Sequence, residues 1–318
     1  MATAPPPSAS GTALHRESGC GRRAAPTHPE AGPSREAQAG PPLEPRWSQS
    51  RRLPQPLESD CSLPLSLRQQ RVLPYPLAEF AFGALLRPLL GVSAEARLDR
   101  LHEDDRVVSW MAENLRNGSR PFVLRRNPID RAIKVSGGFK QNGALGECYR
   151  RFLREVVMPA VDPDGEGIYY QREPNLRCHL PGTGSLLTGK HRDADFYHQP
   201  NEVNVWLPVT LAFGTNSVWS ESAPGRGDHA PFEAEPGGAV LFWAAQCEHY
   251  TVPNETGATR LSFDFRVVPR RLYRERYPGS HTRQGSGRFE LGGFFCIMEA
   301  ASAEDAAAAR PAVRVGDG

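Results

Sequence analysis

Two rhythms of apolar and polar residues divide the chain. Between Ser93 and Leu115, the residues Leu98, Leu101, Val108, Met111 and Leu115 recur three to seven positions apart. That is the spacing of one helical face, with Ser93 as cap and Asn117-Gly118 as stop. A second helix is predicted over Ala144–Val157, with Leu145, Cys148, Tyr149, Phe152 and Val156 as its buried stripe and Pro159 with VDPDGEG as its end. From Gly167 the rhythm shortens. GIYYQ, LRCHL, EVNVWLPVTL, NSVWSES, AVLFWA and TRLSFDFRVV are strand-like runs separated by Gly, Pro, Asn and Asp turns, the pattern of a β-sandwich or barrel. No internal repeat is visible.

Residues 1–60 show neither rhythm. MATAPPPSAS and AGPPLEPRW typify a Pro-, Ala-, Gly-, Ser- and Arg-rich stretch that cannot bury enough apolar surface to offset its ordering entropy, and disorder is expected. Its Arg and Ser content suits an organellar transit segment, but Glu17, Glu30, Glu36 and Glu44 count against one, and a cytoplasmic protein is the simpler expectation. Residues 300–318 read as a flexible tail. The folded unit is then 61–299, with a helical part over 75–160 and a β-core over 167–270.

Charge and cysteine content narrow the partners. Of 318 residues, 38 are Lys or Arg and 36 are Asp or Glu, a net charge of +2 that offers nucleic acid no broad basic field. No apolar run reaches the roughly 20 residues of a membrane span. Six scattered cysteines without CxxC spacing fit reduced thiols better than a zinc knuckle or a disulfide framework. A small molecule is the expected partner.

The chemistry gathers in the β-region. His191-Arg192-Asp193 precedes the strand EVNVWLPVT, and His249 follows AVLFWAAQ. Residues one and three of an extended segment point the same way, so His191 and Asp193 can reach one ion. Two imidazoles and a carboxylate can occupy one face of an Fe(II) octahedron and leave the other open to O2 and a chelating co-substrate. Arg260 lies eleven residues after His249, across the turn Asn254-Glu255-Thr256-Gly257. Arg260 and Ser262 share one face of their strand, while Leu261, Phe263, Phe265 and Val267 share the other. Arg260 is thus placed to pair with a carboxylate, and Ser262 to add a hydrogen bond.

Each feature alone has a plainer reading. An HxD arises by chance about half the time in a chain this long. His249 alone reads as a surface or supporting histidine, and Arg260 alone as a strand-edge ion pair with Asp264. Their order and spacing within a β-rich region carry the functional reading. His198 rivals His191 as a ligand, or serves on the substrate side or a lid, and Asp195 rivals Asp193. His179 reads as an ordinary strand residue and His229 as a solvated loop residue.

The stretch Tyr170–Pro269, with YYQREPNLRCHLPG, HRDADFYHQPNEVNVWLPVT, WSESAPGRGDH and HYTVPNETGATRLSFDFRVVP, resembles the StrG-type branch of the iron(II)/2-oxoglutarate oxygenases, relatives of the phytanoyl-CoA dioxygenase superfamily. The resemblance covers about a third of the chain. It implies a double-stranded β-helix (jelly roll, cupin-like) behind N-terminal helices. It also implies His191, Asp193 and His249 as iron ligands and Arg260 as the receiver of the 2-oxoglutarate 5-carboxylate. Trp206 falls on the strand that lines the co-substrate pocket in phytanoyl-type relatives; Asn204 shares its face, and Thr251 follows the distal histidine by two.

The expected reaction is hydroxylation, or another oxidation, of a small polar metabolite with O2, Fe(II) and 2-oxoglutarate, releasing succinate and CO2. Arg177, His198 and Glu202 are the substrate-side candidates, with Asn216 and Glu221 nearby. Glu202 and Glu221 read more simply as loop supports, and Arg226 as a turn residue. Two other classes stay open: a cupin-like metalloenzyme without 2-oxoglutarate, against which Arg260 and Ser262 count, and a non-catalytic β-sandwich, against which the intact metal triad counts.

Overall fold

The computed structural model describes residues 61–117, 127–141, 143–185, 187–275, 277 and 289–300. Residues 1–60, expected to be disordered, and 301–318 of the expected flexible tail lie outside these residues.

Helices come first. They are α1 (Leu65–Arg68), α2 (Phe82–Leu90), α3 (Asp105–Arg116), α4 (Pro128–Ser136), α5 (Gly138–Gln141), α6 (Gly143–Phe152) and α7 (Met158–Val161). The single helix expected from Ser93 is instead a 3-10 turn, Leu98–Glu103, followed by α3. Asp104 breaks it, because its carboxylate accepts the Arg106 backbone N–H and caps α3. The helix expected to stop at Val157 runs on. A π-helical turn, Leu153–Val157, joins α6 to α7, and Pro159 sits in the first turn of α7.

The strands are β1 (Arg71–Pro74), β2 (Ile168–Gln171), β3 (Asn175–His179), β4 (Val203–Pro208), β5 (Trp219–Ser220), β6 (Ala230–Pro231), β7 (Gly238–Phe242), β8 (His249–Tyr250), β9 (Arg260–Pro269) and β10 (Phe295–Met298). They form two antiparallel sheets. The larger runs β1-β7-β4-β9-β2-β10, with β3 also on β9; the smaller runs β6-β5-β8. The sheet therefore reaches beyond the expected 167–270 at both ends. β1 pairs with β7 and β10 with β2. β1 was not readable as a strand because RVLP is short, ends in proline and borrows its pairing from residues far along the chain.

β9 is the spine. Its middle, Ser262–Val267, lies against β4, while its other edge is shared by β3 at Arg260–Asp264 and β2 at Val267–Pro269. Alternation sorts its side chains as expected. Leu261, Phe263, Phe265 and Val267 enter the main core under the helices. Phe263 meets Phe82 and Phe139, each at 5.0 Å between ring centroids, and Phe265 meets Tyr149 at 5.0 Å. β4 and β7 follow suit, with Val203, Val205, Leu207, Ala239 and Leu241 toward the helices. Trp206, Val240 and Phe242 form a second, smaller apolar cluster on the opposite face. The helices thus cover one face, and the chemistry is left to the other. Among the described residues no helix is long and apolar enough to cross a membrane.

Candidate metal centre

The two histidines are brought together by the backbone. His191 and His249 form an isolated antiparallel bridge, with N–H to O distances of 3.1 and 2.8 Å. Asp193 opens a one-turn 3-10 helix, Asp193–Phe196, two residues on. That turn ends at Tyr197, which adopts a left-handed φ of 72°, the one such non-glycine residue among those described. A non-glycine side chain there is strained, and the strain marks the loop beside the ligands.

Each histidine is locked by a carbonyl two residues upstream. His191 Nδ1 lies 2.7 Å from Gly189 O and His249 Nδ1 lies 3.0 Å from Cys247 O. A carbonyl only accepts, so Nδ1 carries the proton and Nε2 presents a lone pair. Both Nε2 atoms stand 3.6 Å from Asp193 Oδ1, and the three ligand atoms lie within 4.8 Å of one another.

Electrostatics keeps these donors in ligating form. Burial pushes the Asp193 carboxyl up, but the Arg266 guanidinium against it outweighs that and holds it well below the usual carboxylate range. Burial, with His191 beside it, lowers His249 to about 4, so its imidazole is neutral at pH 7. Three converging lone-pair donors of N, N and O type suit a divalent transition metal with open positions.

Asp193 Oδ2 is held by nitrogen donors alone. Arg266 donates to it from Nε at 3.0 Å and Nη2 at 2.8 Å, and Asn204 Nδ2 donates at 3.4 Å. Arg266 Nη1 in turn donates to Asp264 at 3.0 Å and to Gln171 Oε1 at 3.3 Å. Asp264 also accepts from Asn175 at 3.0 Å and from Arg177 at 3.3 Å. Arg266 escaped the sequence reading, and Asp264 entered it only as an ion-pair partner for Arg260, although alternation places both on the same face as Arg260 and Ser262.

Arg260 lines the same pocket, a space of about 490 Å³ including its open mouth. The residue is 1% exposed. Nη1 donates to Ser262 Oγ at 2.9 Å, while Nε and Nη2 have no hydrogen-bond partner. Burial, with Arg177 nearby, lowers its pKa to about 9, so it is still charged at pH 7. A buried cation with two unused donors calls for an anionic ligand with two acceptors. The Trp206 ring lies 5.6 Å from its Cζ.

The remaining expectations sort by the pocket wall. Arg177, Asn204, Trp206 and Thr251 all line it. Thr251 is also a loop tie, since its Oγ1 accepts the Leu187 and Thr188 N–H groups at 2.9 Å each. Asn204 Oδ1 is buried without a partner. His198 and Glu202 do not line the pocket. They are buried against each other, with Nδ1 2.5 Å from Oε2, and the His198 ring lies 4.0 Å from that of Phe289. Asp195 is no rival ligand, because its Oδ2 accepts the Arg192 N–H at 2.9 Å. Glu221 and Asn216 serve loops. Glu221 accepts from the Gly227 and Glu248 N–H groups, and Asn216 Oδ1 from the Phe213 N–H. Arg226 donates to Ser222 Oγ within its own turn. His179 is a fully buried strand residue. His229 is not solvated as expected; its side chain is 10% exposed and its Nε2 lies 3.3 Å from Glu248.

No family model matches the chain. The streptomycin biosynthesis protein StrG of Streptomyces griseus is 32% identical over 203 residues, which is 63% of this chain and 85% of that protein. Among solved structures, the nickel complex of the non-heme monooxygenase ThoJ is 16% identical, covering 64% of this chain and 75% of that one, with a TM-score of 0.35. CytC3 with Fe(II) and α-ketoglutarate is 19% identical, covering 47% and 61%, with a TM-score of 0.33.

Proposed function

The chain belongs to the family of the streptomycin biosynthesis protein StrG, and on that premise we propose that it is an iron(II)- and 2-oxoglutarate-dependent dioxygenase acting on a small polar metabolite. The observation that carries the reading is one pocket holding both halves of the requirement. His191, Asp193 and His249 converge as lone-pair donors, and Arg260 waits beside them with two unused N–H donors. The antiparallel sheets, with helices on one face and the pocket on the other, support a double-stranded β-helix as the scaffold.

Iron and 2-oxoglutarate, when bound, supply the oxidation of a substrate C–H bond by O2, with succinate and CO2 as co-products. The protein's part is position and exclusion of water. Nε2 of His191, Nε2 of His249 and Oδ1 of Asp193 hold the metal from one side. Arg260 takes the far carboxylate of the co-substrate through Nε and Nη2, with Ser262 fixing the guanidinium plane. Val218, Phe242 and Trp206 keep this end of the pocket dry. Arg177, partly exposed on the wall, offers a polar substrate a charged contact. The activity is assigned to residues 61–299, so removal of residues 1–60 should leave turnover unchanged.

An anaerobic titration tests this. Fe(II) and 2-oxoglutarate added to apo-protein should produce the weak visible charge-transfer band of the chelate. His249→Ala should abolish it, and Arg260→Ala should require at least tenfold more 2-oxoglutarate, the loss expected when a buried charge loses its partner. Iron uptake without a band would instead favour metal chemistry that needs no keto-acid.

A further inference from the structure

Arg266 is the buried charge that the proposed reaction does not yet use. It touches neither the metal-facing oxygen nor the co-substrate receiver. It lies instead behind Asp193, with two N–H groups on Oδ2 at 2.8 and 3.0 Å. Asn204 adds a third donor to the same oxygen. The other oxygen, Oδ1, is the one facing both histidines. The carboxylate is thus divided into a gripped oxygen and a ligating oxygen.

That division matters for the count of open positions. A metal held by two imidazoles and one carboxylate oxygen has three positions left in an octahedron. A chelating keto-acid takes two and O2 needs the third. If Asp193 swung to offer both oxygens, it would fill one of these positions itself. We propose that Arg266 is a positioning residue that holds Asp193 as a one-oxygen ligand and so keeps the third position open. The inference rests on the metal reading above.

The grip is itself held from behind. Asp264 takes Arg266 Nη1 at 3.0 Å, and Gln171 Oε1 takes it at 3.3 Å. Arg266 and Asp264 are buried to within 10% of full exclusion, so the ion pairs are little screened by water. β9 supplies Arg266 and Asp264 at alternate positions of one rigid strand, which fixes the angle of the guanidinium. A lysine at 266 would keep the charge but not the two converging N–H groups, because an ammonium is a point donor and not a fork.

Co(II) substitution separates this role from a structural one, since its visible spectrum reports the ligand set without turnover. Arg266→Lys should bind Co(II) roughly 10–100-fold more weakly, the usual effect of losing a ligand's supporting partner. Its visible bands should shift, because the second Asp193 oxygen takes a position that water holds in the wild type. More 2-oxoglutarate, about tenfold, should be needed to perturb the bands, while the apo-protein melts as wild type does. Asp264→Asn, which loosens the grip at one remove, should shift the spectrum the same way to a smaller extent, and it carries the test if Arg266→Lys does not fold. Spectra and affinities unchanged in a folded variant would overturn the inference alone. Wild-type protein that takes up no Co(II) would overturn the metal reading on which it rests.

Discussion

The two faces of β9 have equal burial and opposite chemistry. Toward the helices stand Leu261, Phe263, Phe265 and Val267; toward the pocket stand Arg260, Ser262, Asp264 and Arg266. All eight are buried. One face stabilises the fold by removing apolar surface from water. The other places charges in the protein interior, where each costs free energy unless paired. Burial alone therefore does not tell a core residue from a site residue. The residue's unmet chemistry does: the apolar face has none, while Arg260 has two unused donors.

The largest effect should come from the apolar face. Phe265→Ala removes a ring packed against Tyr149 and Phe152, and such truncations cost about 3–5 kcal/mol. Denaturant melts should show that loss, with metal affinity of the folded protein unchanged. Reduced metal affinity at full stability would erase the distinction between the faces.

Next comes His179, opposite Arg260 in the β3–β9 register and held neutral by burial and by that charge, with its pKa lowered from 6.5 to about 3. The unfolded chain binds a proton there that the folded chain refuses. Stability from this group is therefore complete above pH 6.5 and falls as pH drops toward 3. At pH 4.5 the loss amounts to about 2–3 kcal/mol. His179→Asn should flatten the acid limb of a pH–stability profile by that amount, and an unaltered limb would place the acid sensitivity elsewhere.

Arg260→Leu should reverse the sign seen at Phe265. Removing an unpaired buried cation should leave stability unchanged or raise it by about 1 kcal/mol, while 2-oxoglutarate binding is lost. A marked drop in melting temperature would make Arg260 structural. The smallest effect is expected at Glu221→Ala, which releases the backbone N–H groups of Gly227, in the loop to β6, and of Glu248, just before β8. The cost should be about 1 kcal/mol, with no change in metal affinity by calorimetry.

Much of this contrast was legible in the sequence because period-two alternation is a local property. RLSFDFRVV shows both faces of β9 directly, and HRD with a distant His supplied the donors. The reading stopped at Ser262, although the same alternation continues to Asp264 and Arg266. What no local pattern could show is which distant groups meet. The His198–Glu202 pair looked like substrate chemistry because both residues are polar and near the motif; folding buries them against each other. β1 depends on β7, more than 160 residues on. The break before α3 was the reverse case, a local cap at Asp104 overriding a longer apolar stripe.

The Nδ1 locks on His191 and His249, and the clamp on Asp193, are all made by protein atoms. The cost of arranging the donors is thus met during folding. Two imidazoles and one carboxylate oxygen are donors that several divalent metals accept, so the donor set itself refuses few of them. Affinity would then follow the intrinsic order of the divalent metals, in which nickel, copper and zinc all stand above ferrous iron. On the proposed iron reading, loading becomes a question of supply, and protein purified over a metal resin should carry that metal until it is stripped and reloaded.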